Sequence, residues 1–500
     1  MAQYVLANRR ADRYSYEQKS ASRASVTTTL GLLQGRGRIV SDVDRGDDLS
    51  RRVVVLEADD AQVLNVRARM PADAILEPLV RRALHTRTPL IMREAVPVAA
   101  DGADHAAAAT YRVSITAGGN ALVGIDVLFY LQDGSGQLKI TQRQTDNGGW
   151  ATVGLRAGMT VAMVEPVPYA GFWIVLVEAP PSGTNIDCPP IPRSGPAGWW
   201  HTALGVDPTR GGLGQGIRVG VIDTGCGPHA NLNHVNLAGV CVNNQVLPGP
   251  GARDVAEHGT HTSGLIGARP TGRGEYAGLA PDCDLFHVRA FASEDQGPSQ
   301  ADLVNAIDLL SRDNRCDLIN MSLGGGPPSQ IEEDAIRDAA QRGTLCICSA
   351  GNESSAIDYP AAYPECAAVS AIGLLGWAPP GSFSAGNRPD DPALIGQNGL
   401  FLATFSCYGA GLACAGPGVG IISTVPDHDG GTRLYMEMDG TSMASPAACG
   451  ALASILAADA DYGTLARDIS RYTAARTLLG KHCASIGLAM NYQGQGVPKL

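Results

Sequence analysis

Aromatic residues are scarce: only 5% of the 500-residue chain is Phe, Trp or Tyr. Basic residues are outnumbered, 38 Lys and Arg against 49 Asp and Glu, a net charge of −11. That balance excludes the basic face of a nucleic-acid binder and suits a dispersed, soluble protein. Uninterrupted apolar runs of about 18 residues are also lacking, so no membrane-crossing helix is expected. The first residues, "MAQYVLANRRADRYSYEQKSASRASV", have no apolar core of the kind a secretory signal carries. With Met1 as the start, a cytoplasmic location is expected, export by a non-standard route apart. The twelve cysteines form no CxxC pair. They read as free buried thiols in a reducing compartment, because a chain this long needs no disulfide staples. Internal repeats and low-complexity tracts are missing too.

What is abundant is glycine, 61 residues, which implies close backbone approach and many turns. The length allows two to four domains. Residues 1–50 are charged and weakly patterned, and read as a peripheral extension. Residues 51–105 read as a small α+β unit, with a buried strand at "VVVLE" and a helix over "PADAILEPLVRRAL" started by Pro71. Six strand-like runs between turn residues fill 106–182 and predict an antiparallel β-sandwich. The Pro-, Gly- and Ser-rich stretch 183–197 reads as a linker. From 198 to 500 strands and helices alternate, with Ser299 as a helix N-cap. The alternation predicts an α/β domain: a parallel sheet with helices on both faces and its site at the carboxyl ends of strands.

Four polar residues occupy unusual settings in that last region. Asp223 closes the β-branched run "VGVID"; His258 opens "HGTHTSGLIGA"; Asn352 ends "CSAGN"; Ser442 stands in "GTSMASP". A serine hydroxyl is a poor nucleophile without an adjacent base. An imidazole can take and return its proton, and a carboxylate can fix that imidazole's tautomer. A side-chain amide and a helix N-terminal N–H can both face a developing oxyanion. Gly440 and Pro446 fit such a helix start. His261 and Ser445 read as structural. The irregular spacing of Asp223, His229, His234, His258 and His261 matches no zinc pattern, so no metal and no cofactor is expected.

The motifs "VIDTG", "HGTHTSGLIGA", "LAP", "INMSLGGG", "SAGN", "YPAAYPECAAVSAIG", "AGPGVGIIST" and "GTSMASP" follow one another between about residues 200 and 457. In that order they resemble the subtilisin-like serine peptidases of the S8 family. The resemblance implies a subtilisin-like fold and a serine endopeptidase cutting peptide bonds through an acyl-enzyme. Ser442 would be the nucleophile, His258 the base, Asp223 its orienting carboxylate and Asn352 an oxyanion donor. Substrate would lie along Ser322, Leu323 and Gly324 as an added strand. Ser349, Ala350 and Gly351 would wall the pocket for the residue before the cut, and their small size predicts a roomy, apolar pocket. The family's calcium loop corresponds to "ARPTGRGEYAGLAP", which lacks a cluster of Asn or Asp, so calcium is not expected there. The unit 51–105 is similar to the family's inhibitory propeptide and could act as an intramolecular inhibitor of a latent precursor. The sandwich resembles transthyretin-like modules. A surface insertion is expected near 376–404. Alternatives stay open: regulated precursor processing, transpeptidation or macrocyclisation on the same residues, or a peptide-binding regulatory protein silenced by its front half.

Overall fold

The run Val53–Ala58 is apolar on both sides of the strand, so both its faces must be covered. The computed structural model shows how. It describes residues 1–10, 16–33, 37–44, 51–85, 96–97, 108–428, 430–431 and 434–500. Strands β1 (Ala2–Asn8), β2 (Gly37–Val43), β3 (Val53–Ala58) and β4 (Ala74–Pro78) form an antiparallel sheet in the order β2-β3-β1-β4, with helices α1 (Tyr16–Leu33) and α2 (Asp60–Arg67) between them. Alternate residues face opposite ways. Tyr4, Leu6, Val54, Leu56 and Leu76 pack with Val26, Val63 and Val66 from the two helices. Val5, Ala7, Val53, Val55 and Ile75 share a second core with the large domain.

Two expectations change here. The described part of residues 1–50 is no peripheral extension, because β1 lies between β3 and β4 in the sheet. Nor does Pro71 start a helix: Ala74–Pro78 is a strand, since Ile75 and Leu76 each bury against a different neighbour. The boundary near 105 lies outside the described residues.

The sandwich has two sheets. One holds Val96–Pro97, Asp126–Gln132, Leu138–Gln144, Thr160–Val167 and Val177–Glu178; the other holds Ala109–Ala117, Asn120–Ala121, Trp150–Leu155 and Asn185–Asp187. Asn185–Asp187 pairs parallel with Ala109–Ala117, so the stretch 183–197 is no free linker. Ahead of it, Trp173 leaves the sandwich and joins the core of the large domain with Trp200. The front of the segment 376–404 is the surface it meets: Trp377 meets Trp173 edge to face, and Leu176 N–H donates to Gly381 O (3.2 Å). Its end, Leu400–Leu402, is a buried strand paired with Ala367–Leu374, so the segment is no simple surface insertion.

The large domain is built on a nine-stranded sheet. Its parallel strands run Asn236–Val242, Asp284–Arg289, Arg218–Asp223, Leu318–Met321, Leu345–Ser349, Ala367–Leu374 and Leu412–Pro417 across the sheet. Helices Gln300–Asp308 and Gln330–Gln341 cover one face; His258–Gly267 and Thr441–Ala458 cover the other. Ser299 caps its helix through a reciprocal pair with Asp302. Arg218–Asp223 came first in the chain, yet later strands flank it on both sides. That reversal opens a crevice at its carboxyl end, where Asp223 sits. Thr441–Ala458 is apolar and long enough to cross a membrane by composition, but 89% of it is buried as the core helix. All twelve cysteines are free thiols, and only Cys483 is not fully buried.

Candidate active site

The carboxyl ends of three parallel strands and the starts of two helices converge on one cleft. Asp223 ends its strand, fully buried, and its Oδ1 lies 2.7 Å from His258 Nδ1. Thr224 N–H (2.7 Å) and the Thr262 hydroxyl (3.1 Å) donate to the same carboxylate. Burial alone would raise its pKa, but the His258 charge and hydrogen bond hold it below the usual carboxylate range. His258 is the first residue of its helix and 2% exposed. Asp254 pins that helix start, accepting from Thr260 N–H (2.7 Å) and from Thr224 Oγ1 (2.7 Å). Beneath it, fully buried His287 accepts from Gly225 N–H (3.2 Å) and meets Ser263 Oγ (2.9 Å); burial lowers its pKa to about 4.

Ser442 is the second residue of the buried helix Thr441–Ala458, entered through Gly440 at φ +150°, a conformation that favours glycine. Its hydroxyl donates to Ser322 O (3.0 Å). His258 Nε2 has no protein partner among the described residues. Asn352 follows the strand Leu345–Ser349; its Oδ1 accepts from Thr441 N–H (3.0 Å) and Thr441 Oγ1 (2.9 Å). Those two bonds fix the amide so that Nδ2 faces the cleft. His261 and Ser445 point elsewhere: His261 Nε2 meets Ile421 O (3.0 Å), and Ser445 donates to Asn320 Oδ1 (2.7 Å).

The cleft is filled by the chain itself. Strand β5 (Ala83–Leu84) pairs antiparallel with Leu323–Gly324, Leu84 opposite Leu323 and Ala83 opposite Gly324. The next residue, His85, places its carbonyl oxygen 2.5 Å from Asn352 Nδ2 and 3.2 Å from Ser442 N. Its imidazole lies between Ser349 and Asp358, which stands beside Gly351. There Nδ1 lies 2.7 Å from Ser349 Oγ and Nε2 3.3 Å from Asp358 Oδ2. Gly324 is required: a Cβ there would stand 2.4 Å from the His85 ring. The pocket is therefore not simply apolar; its walls are small, but Asp358 supplies a carboxylate.

Of the residues singled out in the sequence, Asp223 pairs with His258, Ser442 bonds Ser322, and Asn352 bonds Thr441 next to Ser442. The segment 83–85 meets Leu323, Gly324, Ser349, Asn352 and Ser442. Gly351 lies beside Asp358, and Ala350 joins it through main-chain bonds to Asp358 and Val369. His85, Asp358, Asp254 and His287 were not visible as site residues. Only "LFHV", a histidine inside an apolar strand, carried a local hint. In the loop "ARPTGRGEYAGLAP", the Glu275 carboxylate accepts from Thr271 N–H, Gly272 N–H and Asn231 Nδ2.

Residues 214–494 match the model of the subtilase family. Subtilisin BL of Lederbergia lenta is 33% identical over 248 residues, 49% of this chain and 78% of that protein. The major intracellular serine protease of Bacillus subtilis (strain 168) is 32% identical over 265 residues, 49% of this chain and 70% of that one. The crystal structure of fervidolysin from Fervidobacterium pennivorans, a keratinolytic enzyme related to subtilisin, matches in fold with a TM-score of 0.60 at 18% identity. That match covers all of this chain and 60% of the fervidolysin chain.

Proposed function

The chain belongs to the subtilase family and is a serine endopeptidase; we propose that it acts through Ser442 and is held in check by its own first 85 residues. The observation that carries this reading is the His85 carbonyl oxygen between Asn352 Nδ2 and Ser442 N. Two donors converge there on the oxygen that becomes negative in a tetrahedral intermediate.

In this reading Ser442 Oγ attacks the carbonyl carbon held by those donors. The hydroxyl exchanges its bond to Ser322 O for one to His258 Nε2, which takes the proton as the Oγ–C bond forms. Asp223 keeps the other imidazole nitrogen protonated and steadies the imidazolium. The C–N bond then breaks, and His258 returns the proton to the leaving amine. A water, activated by the same imidazole, hydrolyses the acyl-enzyme.

The peptide bond after His85 is the first bond so presented. Cutting it leaves residues 1–85 in the cleft as a product-like inhibitor. Their dock is broad. Besides the apolar face of the N-terminal sheet, Arg10 and Arg51 meet Asp308 at 2.6 and 2.7 Å, and Arg51 meets Asp338 at 2.6 Å. The Glu77 carboxylate accepts from Ser329 Oγ and Gln330 N–H at the start of helix Gln330–Gln341, where an anion is favoured. Incubation of the full chain followed by intact mass and fluorophosphonate labelling tests the reading. A new carboxyl terminus at His85 and label on Ser442 are expected. Ser442→Ala removes both, with a rate loss of roughly a million-fold; labelling that survives it overturns the assignment.

A further inference from the structure

Three residues before His85, Arg82 lies in a second pocket of the same groove. Its side chain and that of Glu332 are both 0% exposed. The guanidinium approaches Glu332 through two edges: Nε lies 3.3 Å from Oε1, and Nη2 bonds Oε2. Nη1 donates to Gly325 O and to Pro327 O (3.0 Å). The Tyr363 hydroxyl, 3.1 Å from Glu332 Oε2, holds the carboxylate from behind. Main-chain contacts set the register: Arg82 N–H donates to Pro298 O (2.9 Å), and Gly297 leaves the room that a Cβ, 1.8 Å from Arg82 O, would fill.

Every acceptor in this pocket belongs to the large domain, and together they fit a planar, forked donor. A carboxylate buried this deeply is costly unless a charge pairs with it. An ammonium is a point charge and matches the fork poorly. An apolar side chain leaves the Glu332 charge unpaired, with only the Tyr363 hydroxyl bonded to it, and takes the guanidinium donors from two carbonyls. Sites built for hydrogen bonding discriminate strongly against such ligands.

On the reading that residues 82–85 lie as substrate does, we infer that this peptidase selects arginine at the fourth position before the cut, through Glu332. The pocket next to the cut, with Asp358 at its base, adds a preference for histidine. The substrates are then protein segments of the form Arg-X-X-His, of which "RALH" at 82–85 is the copy within the chain.

The test uses the full chain after its own cleavage and the dissociation of the 1–85 fragment. Its substrates are Arg-Ala-Leu-His, Lys-Ala-Leu-His, Ala-Ala-Leu-His and Arg-Ala-Leu-Ala with a fluorogenic amine at the carboxyl end, beside casein. Replacing arginine by alanine lowers kcat/KM roughly 100-fold or more, with lysine between them. In Glu332→Gln the ratio between the arginine and alanine peptides collapses toward one. That ratio is independent of how much of the variant folds, and the wild-type peptide series needs no variant. Casein cleavage and fluorophosphonate labelling report on the peptidase reading separately. If both occur while the arginine and alanine peptides are cut equally, the specificity is overturned and the peptidase stands. If there is no labelling, no casein cleavage and no self-cleavage, both fall.

Discussion

At the scale of single residues, Asn352 does two things with one amide. Its oxygen is held by Thr441, and its nitrogen is thereby aimed at the carbonyl oxygen in the cleft. Replacing it with alanine removes one of two donors, so kcat should fall roughly 100- to 1000-fold. Steady-state kinetics on one peptide checks this; a loss confined to KM argues against an oxyanion role. The buried histidines set a second expectation. Burial lowers the pKa of His201, His234 and His287 to about 4 and of His261 to about 3. In the unfolded chain each takes a proton near pH 6.5. Between those values the unfolded state binds more protons, so stability falls as pH falls through that window and is unaffected above it. Urea midpoints measured from pH 8 to 4 should decline below about 6.5.

At the scale of elements, the N-terminal sheet is stabilised by burial on both faces. Each fully buried Val or Leu contributes about 1.5–3 kcal/mol. Charge decides where the sheet docks. Asp308 ends the helix Gln300–Asp308 and receives both Arg10 and Arg51. Asp308→Ala strips a buried carboxylate from two guanidiniums. Such losses cost about 3–5 kcal/mol, and the low end is expected because Asp338 still meets Arg51 at 2.6 Å. Dissociation of the cleaved 1–85 fragment, followed by the onset of peptidase activity, should be faster by a matching factor. An unchanged rate would place the restraint in the apolar face alone.

At the scale of the whole molecule, two units press on one large domain. The first 85 residues cover the helices Gln300–Asp308 and Gln330–Gln341 and fill the cleft. The sandwich sends Trp173 into the opposite side, against Trp200 and Trp377. Ile174 N–H donates to buried Glu437 (2.8 Å), whose pKa burial raises to about 8. After cleavage at His85, the fragment should therefore co-elute with the remainder on gel filtration under native conditions and separate in denaturant. Separation without denaturant would mean that the bond after His85 is what keeps the sheet in place.

The large domain was legible because its signals are local. Strand and helix periods alternate, Ser299 is a self-contained cap, and each cleft residue sits in a short motif whose small neighbours have a steric reason. That was enough to place Asp223, His258, Asn352 and Ser442 at the ends of strands or starts of helices. The front half was harder for a physical reason. A helix-like spacing over "PADAILEPLVRRAL" becomes a strand because its two sides meet different partners, and β1 gains its central place only from pairings more than 45 residues away. The small size of Ser349, Ala350 and Gly351 likewise suggested a roomy, apolar pocket, since nothing in the sequence says that the Ser349 hydroxyl and the Asp358 carboxylate meet one imidazole. The sequence determined, by itself, which side chains could do the chemistry. Tertiary structure alone decided what lies in front of them, because the contacts of Arg82 with Glu332 and of His85 with Ser349 join residues about 250 positions apart.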